Sequence, residues 1–140
     1  MKDILLKIVG QQEGDDDADK IELITEGRLY KKKDSTYLIY DESEFTGFPG
    51  CKTSFKLTGN TLKMKRMGKE VESGTEIVFS KGKRFTGKYE TPFGEVNMEV
   101  FVNDVINNMS DDGGEVFVDY NVSLGGLEEG RNKLTIEVTS

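Results

Sequence analysis

The chain has 140 residues, no histidine, one cysteine and a formal net charge of -7 at pH 7. At this length a domain buries about 68 to 70% of the surface exposed by its unfolded chain. The sequence therefore predicts one domain, residues 1–140, that folds without a disulfide or a metal. The acidic balance disfavours nonspecific attraction to nucleic acid and to anionic membranes.

The cysteine count and the amino terminus both favour a cytoplasmic protein. Cys51 has no partner for an internal disulfide, which is typical of a reducing compartment. Without a histidine to activate its thiol, we expect Cys51 to be inert or buried. The amino-terminal apolar run is broken by Lys7 and lacks a small-residue cleavage site, so it does not have the features of a signal peptide. No run is long enough to span a bilayer.

Alternating apolar and polar residues predict strands along the first half of the chain. Ile4, Leu6 and Ile8 share one face of an opening strand. After a polar, acidic loop the pattern resumes at Lys20, in a strand long enough to bend at Gly27. The next predicted strand, 37–40, is apolar on both faces at its start, and the chain becomes acidic by Asp41, Glu42 and Glu44.

A two-residue hairpin signal, Gly59-Asn60, separates the next two predicted strands. Phe55 lies on one face of the first strand, and Leu62 and Met64 lie on the matching face of the second. One further step along that face places Arg66 inside the protein.

The most regular stretch is a hairpin from Arg84 to Asn103 around Thr91-Pro92-Phe93-Gly94. The fixed φ of proline fits the second turn position, and glycine fits the fourth. We expect a loop from Asn107 to Gly114, after which strands at 116–124 and 134–138 complete the sheet.

The pattern as a whole predicts an all-β fold with little or no helix. No stretch has a convincing 3.6-residue apolar period, and no connection is long enough for a crossover helix, so sequential strands should pair antiparallel. An open meander this wide would leave two unpaired edges, which closure into a barrel removes. We expect a closed or nearly closed barrel of about eight to ten strands, either filled by side chains or with room for one small ligand.

Five strings resemble, in order and spacing, the bacterial YwiB-like family of unknown function. This resemblance covers about residues 2–139 and implies a lipocalin-like, calycin-type barrel and a cytoplasmic location. It implies no catalytic or binding residue, and Phe93 stands where the family usually has tyrosine. The strings are ELITEG (22–27), TYLIYDESE (36–44), YETPFGEVNMEV (89–100), SLGG (123–126) and NKLTIEV (132–138).

Polar residues on inward registers are the candidate ligand-binding residues. An inward Arg66 must find a carboxylate or bind an anion, because a lone buried charge is expensive. The alternative is a bulge near Gly68 that turns Arg66 out to solvent. Depending on register, its interior neighbours include one or more of a small set of residues: Tyr37, Asp41, Tyr89 and Tyr120.

The hairpin tip offers a second candidate site. Glu90, Thr91 and Phe93 would form a binding lip at the barrel mouth. We favour a structural role for the tip, since Pro92 and Gly94 each have a local conformational reason to be there.

Other charged groups have simpler interpretations. Asp15, Asp17, Asp19 and Glu26 match four positions of a calcium-loop template, but a lysine replaces its glycine, so we expect a solvated acidic loop and no metal. Glu42 and Glu44 lie on one strand face and are interpreted as surface charge rather than as an acid–base pair.

Basic residues also cluster in the sequence, and an acidic protein with alternating surface lysines favours no nucleic-acid binding. The cluster consists of Lys63, Lys65, Arg66, Lys81, Lys83, Arg84 and Lys88.

Two functional hypotheses follow. The first is a noncatalytic protein, without a cofactor, that binds a small apolar or anionic ligand in the barrel. The alternative is a protein–protein interaction module with a filled barrel, whose outward apolar residues would gather into a patch. These outward residues are Ile24, Tyr30, Phe101 and Phe117.

Overall fold

The computed structural model describes residues 1–12, 20–42, 50–68, 74–91, 94–126 and 129–140, with the backbone alone for 74–75 and 89–91. Within these ranges the chain forms ten strands and no helix, and hence no helix able to cross a membrane. The strands are β1 (Lys2–Gln12), β2 (Lys20–Lys32), β3 (Ser35–Asp41), β4 (Lys52–Thr58), β5 (Thr61–Met67), β6 (Gly74–Ser80), β7 (Arg84–Thr91), β8 (Gly94–Ser110), β9 (Gly113–Leu124) and β10 (Gly130–Thr139).

All ten strands belong to one antiparallel sheet, in the order β6-β5-β4-β3-β2-β1-β10-β9-β8-β7. The first and last strands pair in the middle of this order, and the seam of the barrel lies between β6 and β7. Near the seam, the Gly82 amide donates to the Val102 carbonyl (2.9 Å) and the Val102 amide donates to that of Lys83 (3.1 Å). The predicted all-β, sequential, nearly closed barrel is confirmed.

The connections divide between the two ends of the barrel. At one end, called the turn end, the connections are the tight turns at 33–34, 59–60, 81–83 and 111–112. At the other, called the loop end, β3 leads into β4 and β5 leads into β6; the connections at this end include 13–19, 43–49, 69–73, 92–93 and 127–128, which lie outside the described residues. The charge template at Asp15, Asp17 and Asp19 falls in the first of them.

The hairpin of β7 and β8 is confirmed by its register. Thr91 pairs with Gly94, so two residues connect the strands, and Gly94 has a φ of 117°, a backbone conformation that favours glycine. Pro92 and Phe93 themselves lie outside the described residues.

The loop predicted from Asn107 to Gly114 is wrong, because β8 continues to a two-residue turn at 111–112. A β-bulge between Val102 and Asp104 shifts the alternation by one residue, so that Val102 and Val105 are both buried. The change of phase made a continuous strand look like the end of one.

Apolar side chains from every sector of the sheet fill the barrel. Leu38 pairs with Phe55, and Phe55 pairs with Met64, in one row across β3, β4 and β5. Burial of each large apolar side chain contributes about 1.5–3 kcal/mol. The side chains with no exposed surface include Leu6, Leu38, Leu62, Val100, Val102, Val116, Val118 and Ile136.

Candidate functional site

Four polar residues meet inside the barrel at the loop end: Tyr40, Glu42, Thr53 and Arg66, called here the inner cluster. Tyr40 pairs with Thr53 and Thr53 with Arg66, in the row next to the apolar row of Leu38. Alternation carries the inward face from Leu38 through Tyr40 to Glu42, which lies just after β3. The barrel core therefore ends in a polar layer at this end.

The carboxylate of Glu42 is the centre of the inner cluster. Thr53 Oγ1 donates to Glu42 Oε1 at 2.6 Å, and Arg66 Nε lies 3.6 Å from the same oxygen. The Tyr40 hydroxyl is also hydrogen-bonded to Glu42. The Glu42 backbone amide donates to the carbonyl of Cys51 at 2.9 Å, which holds the residue after its strand has ended.

The two charged members of the cluster differ in their access to solvent. The Glu42 side chain is 1% exposed, whereas that of Arg66 is 18% exposed. The carboxylate is thus enclosed by the protein, whereas the guanidinium adjoins solvent. The arrangement can therefore hold a cation at the boundary between the barrel core and solvent.

Burial, followed by the charge of Glu42, raises the pKa of Tyr40 to about 12. At neutral pH this residue is a neutral phenol that donates a hydrogen bond, and it is a poor candidate for a general base.

Arg66 faces inward, as the register from Leu62 and Met64 predicts. The pairing of β5 with β6 continues through Arg66 and Met67 without a shift, so the alternative with a bulge before Gly68 is wrong.

The expectation that Tyr37 or Asp41 lies inside is wrong. Leu38 and Tyr40 are buried, so the odd-numbered residues of β3 face outward. The Tyr37 ring stacks on Tyr30, with centroids 4.6 Å apart, and Asp41 is exposed. Because this strand is apolar on both faces, its pattern could not define the inward side.

Tyr120 does point toward the core, but it is placed apart from the inner cluster. Its ring lies against Phe79, with centroids 5.0 Å apart. Phe79 is four residues along β6 from Thr75, the partner of Arg66, which is about 13 Å at the rise of a strand. We therefore assign Tyr120 to the packed core.

The other candidate residues lie partly or wholly outside the described part of the chain. Tyr89 and Glu90 pair through their backbones with Val96 and Glu95, but their side chains are not described. Since Phe93 is also outside the described residues, the binding lip stays a prediction.

Sequence reasoning missed three members of the inner cluster. Glu42 was interpreted as surface charge and is buried; Thr53 and Tyr40 were not singled out. The signal was the alternation itself, read forward from Leu38 to Glu42 and backward from Phe55 to Thr53. The alternation was not extended to Glu42 and Thr53, because acidic and hydroxyl residues are common where strands end.

Several of the predicted basic residues form ion pairs on the outer surface: Lys63 with Glu76, Lys81 with Asp104, Arg84 with Glu99 and Lys88 with Glu95. The described residues contain no group of three potential ligands placed to hold a metal ion. The thiol of Cys51 is free and half-buried.

A further ion pair, called the outer pair, joins Asp119 and Arg131 on the outside of the barrel. Arg131 Nε and Nη2 donate to the two carboxylate oxygens at 3.0 and 2.7 Å. Asn103 Nδ2 donates to Asp119 Oδ1 at 3.2 Å. The hydrogen bond from Arg131, supported by the one from Asn103, holds the pKa of Asp119 below its usual value.

Comparisons with known proteins agree on the family. A family model described as "Domain of unknown function (DUF1934)" matches residues 6–136. The chain is 26% identical over 133 residues to the "Uncharacterized beta-barrel protein YwiB" of Bacillus subtilis (strain 168), covering 95% of this chain and 90% of that protein. The crystal structure of the ywiB protein from Bacillus subtilis superposes with a TM-score of 0.80 at 21% identity, over 99% of this chain and 91% of that one.

Proposed function

The chain belongs to this family of unknown function, which supplies no activity, and we propose from the geometry of the inner cluster that it is a noncatalytic binding protein for a small anion. The observation that carries the proposal is an inward Arg66 beside a buried carboxylate, at the end of an otherwise apolar barrel. The ligand class is a carboxylate or a phosphate ester of low molecular mass.

The roles within the cluster follow from its contacts. Glu42 fixes the position of Arg66, while Thr53 and Tyr40 donate hydrogen bonds to the Glu42 carboxylate. The planar guanidinium fork matches carboxylate and phosphate geometry.

An apolar ligand inside the barrel has less support. The apolar rows are already packed by side chains with no exposed surface, such as Leu38 and Leu62. A ligand there would have to displace the core. The absence of catalysis and of a cofactor stays a prediction, supported by the lack of histidine and the raised pKa of Tyr40, and so does the cytoplasmic location.

The test is thermal stabilisation of the purified protein by inorganic phosphate, phosphate monoesters and small mono- and dicarboxylates, followed by titration calorimetry. A ligand that binds only the folded state raises the melting temperature with its concentration. Binding should be lost in Arg66→Met and reduced in Arg66→Lys, while Arg131→Met, which removes the same charge from the outer pair, should bind normally.

Arg66→Met leaves Glu42 buried without its cation and risks instability. The double variant Glu42→Gln/Arg66→Met removes both charges and is the better folded test of lost binding. If no anion of the panel binds the wild type, or if the double variant binds as well as the wild type, the proposal is wrong.

A second candidate is an interaction module with a filled core, since the core is in fact packed. Its predicted patch receives uneven support. Ile24 is 59% exposed, whereas Tyr30 is covered by Tyr37 and Phe101 lies under the guanidinium of Arg84, 5.5 Å from the ring centroid. Tyr30 and Phe101 are thus each covered by a neighbouring side chain and do not form one open apolar surface.

A further inference from the structure

The sheet contains a fork between β2 and β3. The two strands pair only from Arg28–Ile39 to Lys32–Ser35. A Cβ atom on Gly27 would lie 2.9 Å from the carbonyl oxygen of Ile39, so the strands are in close contact just where their pairing ends. A cleft of about 450 Å³ lies at this point, lined by Gly27, Arg28, Ile39 and Asp41 among others.

Beyond the fork, residues 20–27 pair with β1 on one side. Within the described part of the chain, no strand pairs with them on the other. This segment, called here the β2 edge, therefore presents a row of backbone donors and acceptors to another strand. It contains no proline and no β-bulge, two devices that commonly protect an edge.

The β2 edge also carries exposed apolar groups. Ile21 is 75% exposed and Ile24 is 59% exposed. Backbone groups that no described strand pairs on this side, and exposed apolar side chains, occur on the same eight residues, which is the combination that β-strand addition uses.

We propose that the β2 edge pairs antiparallel with the β2 edge of a second copy of this chain, giving a two-fold symmetric dimer. The charges of the segment are complementary to themselves. With the symmetry axis at Leu23, Lys20 of each copy stands opposite Glu26 of the other, twice per dimer. Lys20 and Glu26 lie on strand positions of one parity, the outer face.

The charges of the segment also favour the register with its axis at Leu23 over the register with its axis at Ile24. An axis at Ile24 would place Glu22 opposite Glu26, and like charges directly opposite each other destabilise a pair of strands. An axis at Leu23 also brings the two Ile24 side chains to diagonal positions on one face, where each covers part of the other. The dimer thus shields a residue that is exposed in the single chain. The inference is independent of Arg66 and of any ligand.

Sedimentation equilibrium over a wide range of protein concentration tests the proposal. We expect a monomer–dimer equilibrium in the wild type. Lys20→Glu and Glu26→Lys should each raise the dimer dissociation constant about tenfold, because each replaces two attractive pairs by two repulsive ones. The double variant Lys20→Glu/Glu26→Lys should restore the wild-type constant to within about threefold.

Lys88→Glu is the matched control, since it makes the same charge change on β7, and it should leave the constant unchanged. Hydrogen exchange provides a second measurement: amides of residues 20–27 should become more protected as the protein concentration rises. A wild type that is monomeric at every concentration overturns the proposal. So does a dimer that the charge reversals leave intact, or one that the double reversal does not restore.

Discussion

The inner cluster and the outer pair contain the same two chemical groups, a buried carboxylate and a guanidinium, but the guanidinium is more exposed in the outer pair. The outer pair is bidentate at 2.7 and 3.0 Å, and half of the Arg131 side chain is exposed. In the inner pair, Arg66 Nε lies 3.6 Å from Glu42 Oε1, and both side chains are largely buried. The pair with the better geometry is therefore the one that needs it less.

The difference shows what each pair contributes. The outer pair satisfies its own charges and connects β9 to β10, which is sufficient reason for its presence. In the inner cluster, desolvation of two ions is a large cost. Apolar residues at the same positions would close the barrel more simply, so we infer that the charges serve binding more than stability.

The largest effect should come from removing one inner charge. Glu42→Ala leaves Arg66 buried without its carboxylate and should lower the free energy of unfolding by about 3 kcal/mol. The value is at the low end for such pairs because the Arg66 side chain is 18% exposed. Urea denaturation midpoints measure the change.

The double variant Glu42→Leu/Arg66→Met sharpens the comparison. Since it removes both desolvation costs, its stability should be close to that of the wild type, within about 1 kcal/mol. If the double variant were as unstable as Glu42→Ala, the inner charges would be structural, contrary to our inference.

A smaller loss is expected at Thr53, whose hydroxyl donates to the buried carboxylate. Thr53→Val keeps the shape and removes the donor, and it should lower the free energy of unfolding by about 1.5 kcal/mol. Thr58→Val on the same strand removes a hydroxyl contact with Ser35 that is exposed, and should cost much less. Equal losses at the two positions would contradict the special status of the inner carboxylate.

The outer pair should matter less again. Arg131→Met should lower the free energy of unfolding by about 1 kcal/mol, because the guanidinium is half exposed and solvent screens its charge. Arg28→Met, which removes an exposed contact of 3.9 Å to Asp41, is the control and should be nearly neutral. A loss at Arg131 as large as that at Glu42 would remove the distinction between the two environments.

The smallest effect concerns pH. The folded pKa of Asp119 is lowered from 3.8, mainly by the Arg131 hydrogen bond. Its stabilising contribution is therefore fully present above the unfolded pKa of about 3.9 and is lost as the pH falls through the lower folded value. The stability difference between the wild type and Asp119→Asn should be constant from neutral pH to about pH 5 and shrink below pH 4. A difference that grew on acidification would have the wrong sign.

Much of the barrel could be predicted from alternation and turn chemistry. The hairpins at Gly59-Asn60 and before Gly94, and the inward face of Leu62 and Met64, follow from local pattern, because the period of a strand is two and one buried face fixes the other. The pattern failed at the bulge after Val102, where one extra residue reverses the phase. It also failed along β3, where both faces are apolar and Tyr37 could not be distinguished from Leu38.

The sequence by itself determined that the chain forms an antiparallel, all-β barrel, because alternation and turn chemistry depend on neighbours close in the chain. It left open whether Arg66 points into the barrel or is turned out by a bulge near Gly68, which the pairing of β5 with β6 decided. Only the tertiary structure decided which carboxylate meets Arg66. Glu42 and Arg66 are 24 positions apart and meet because β4 pairs with both β3 and β5. Likewise, the fork at Gly27 depends on where the pairing of β2 with β3 ends while its pairing with β1 continues. The residue pattern of one strand does not contain this information. These contacts join residues that are far apart in the chain, so they are defined only once the strands have paired.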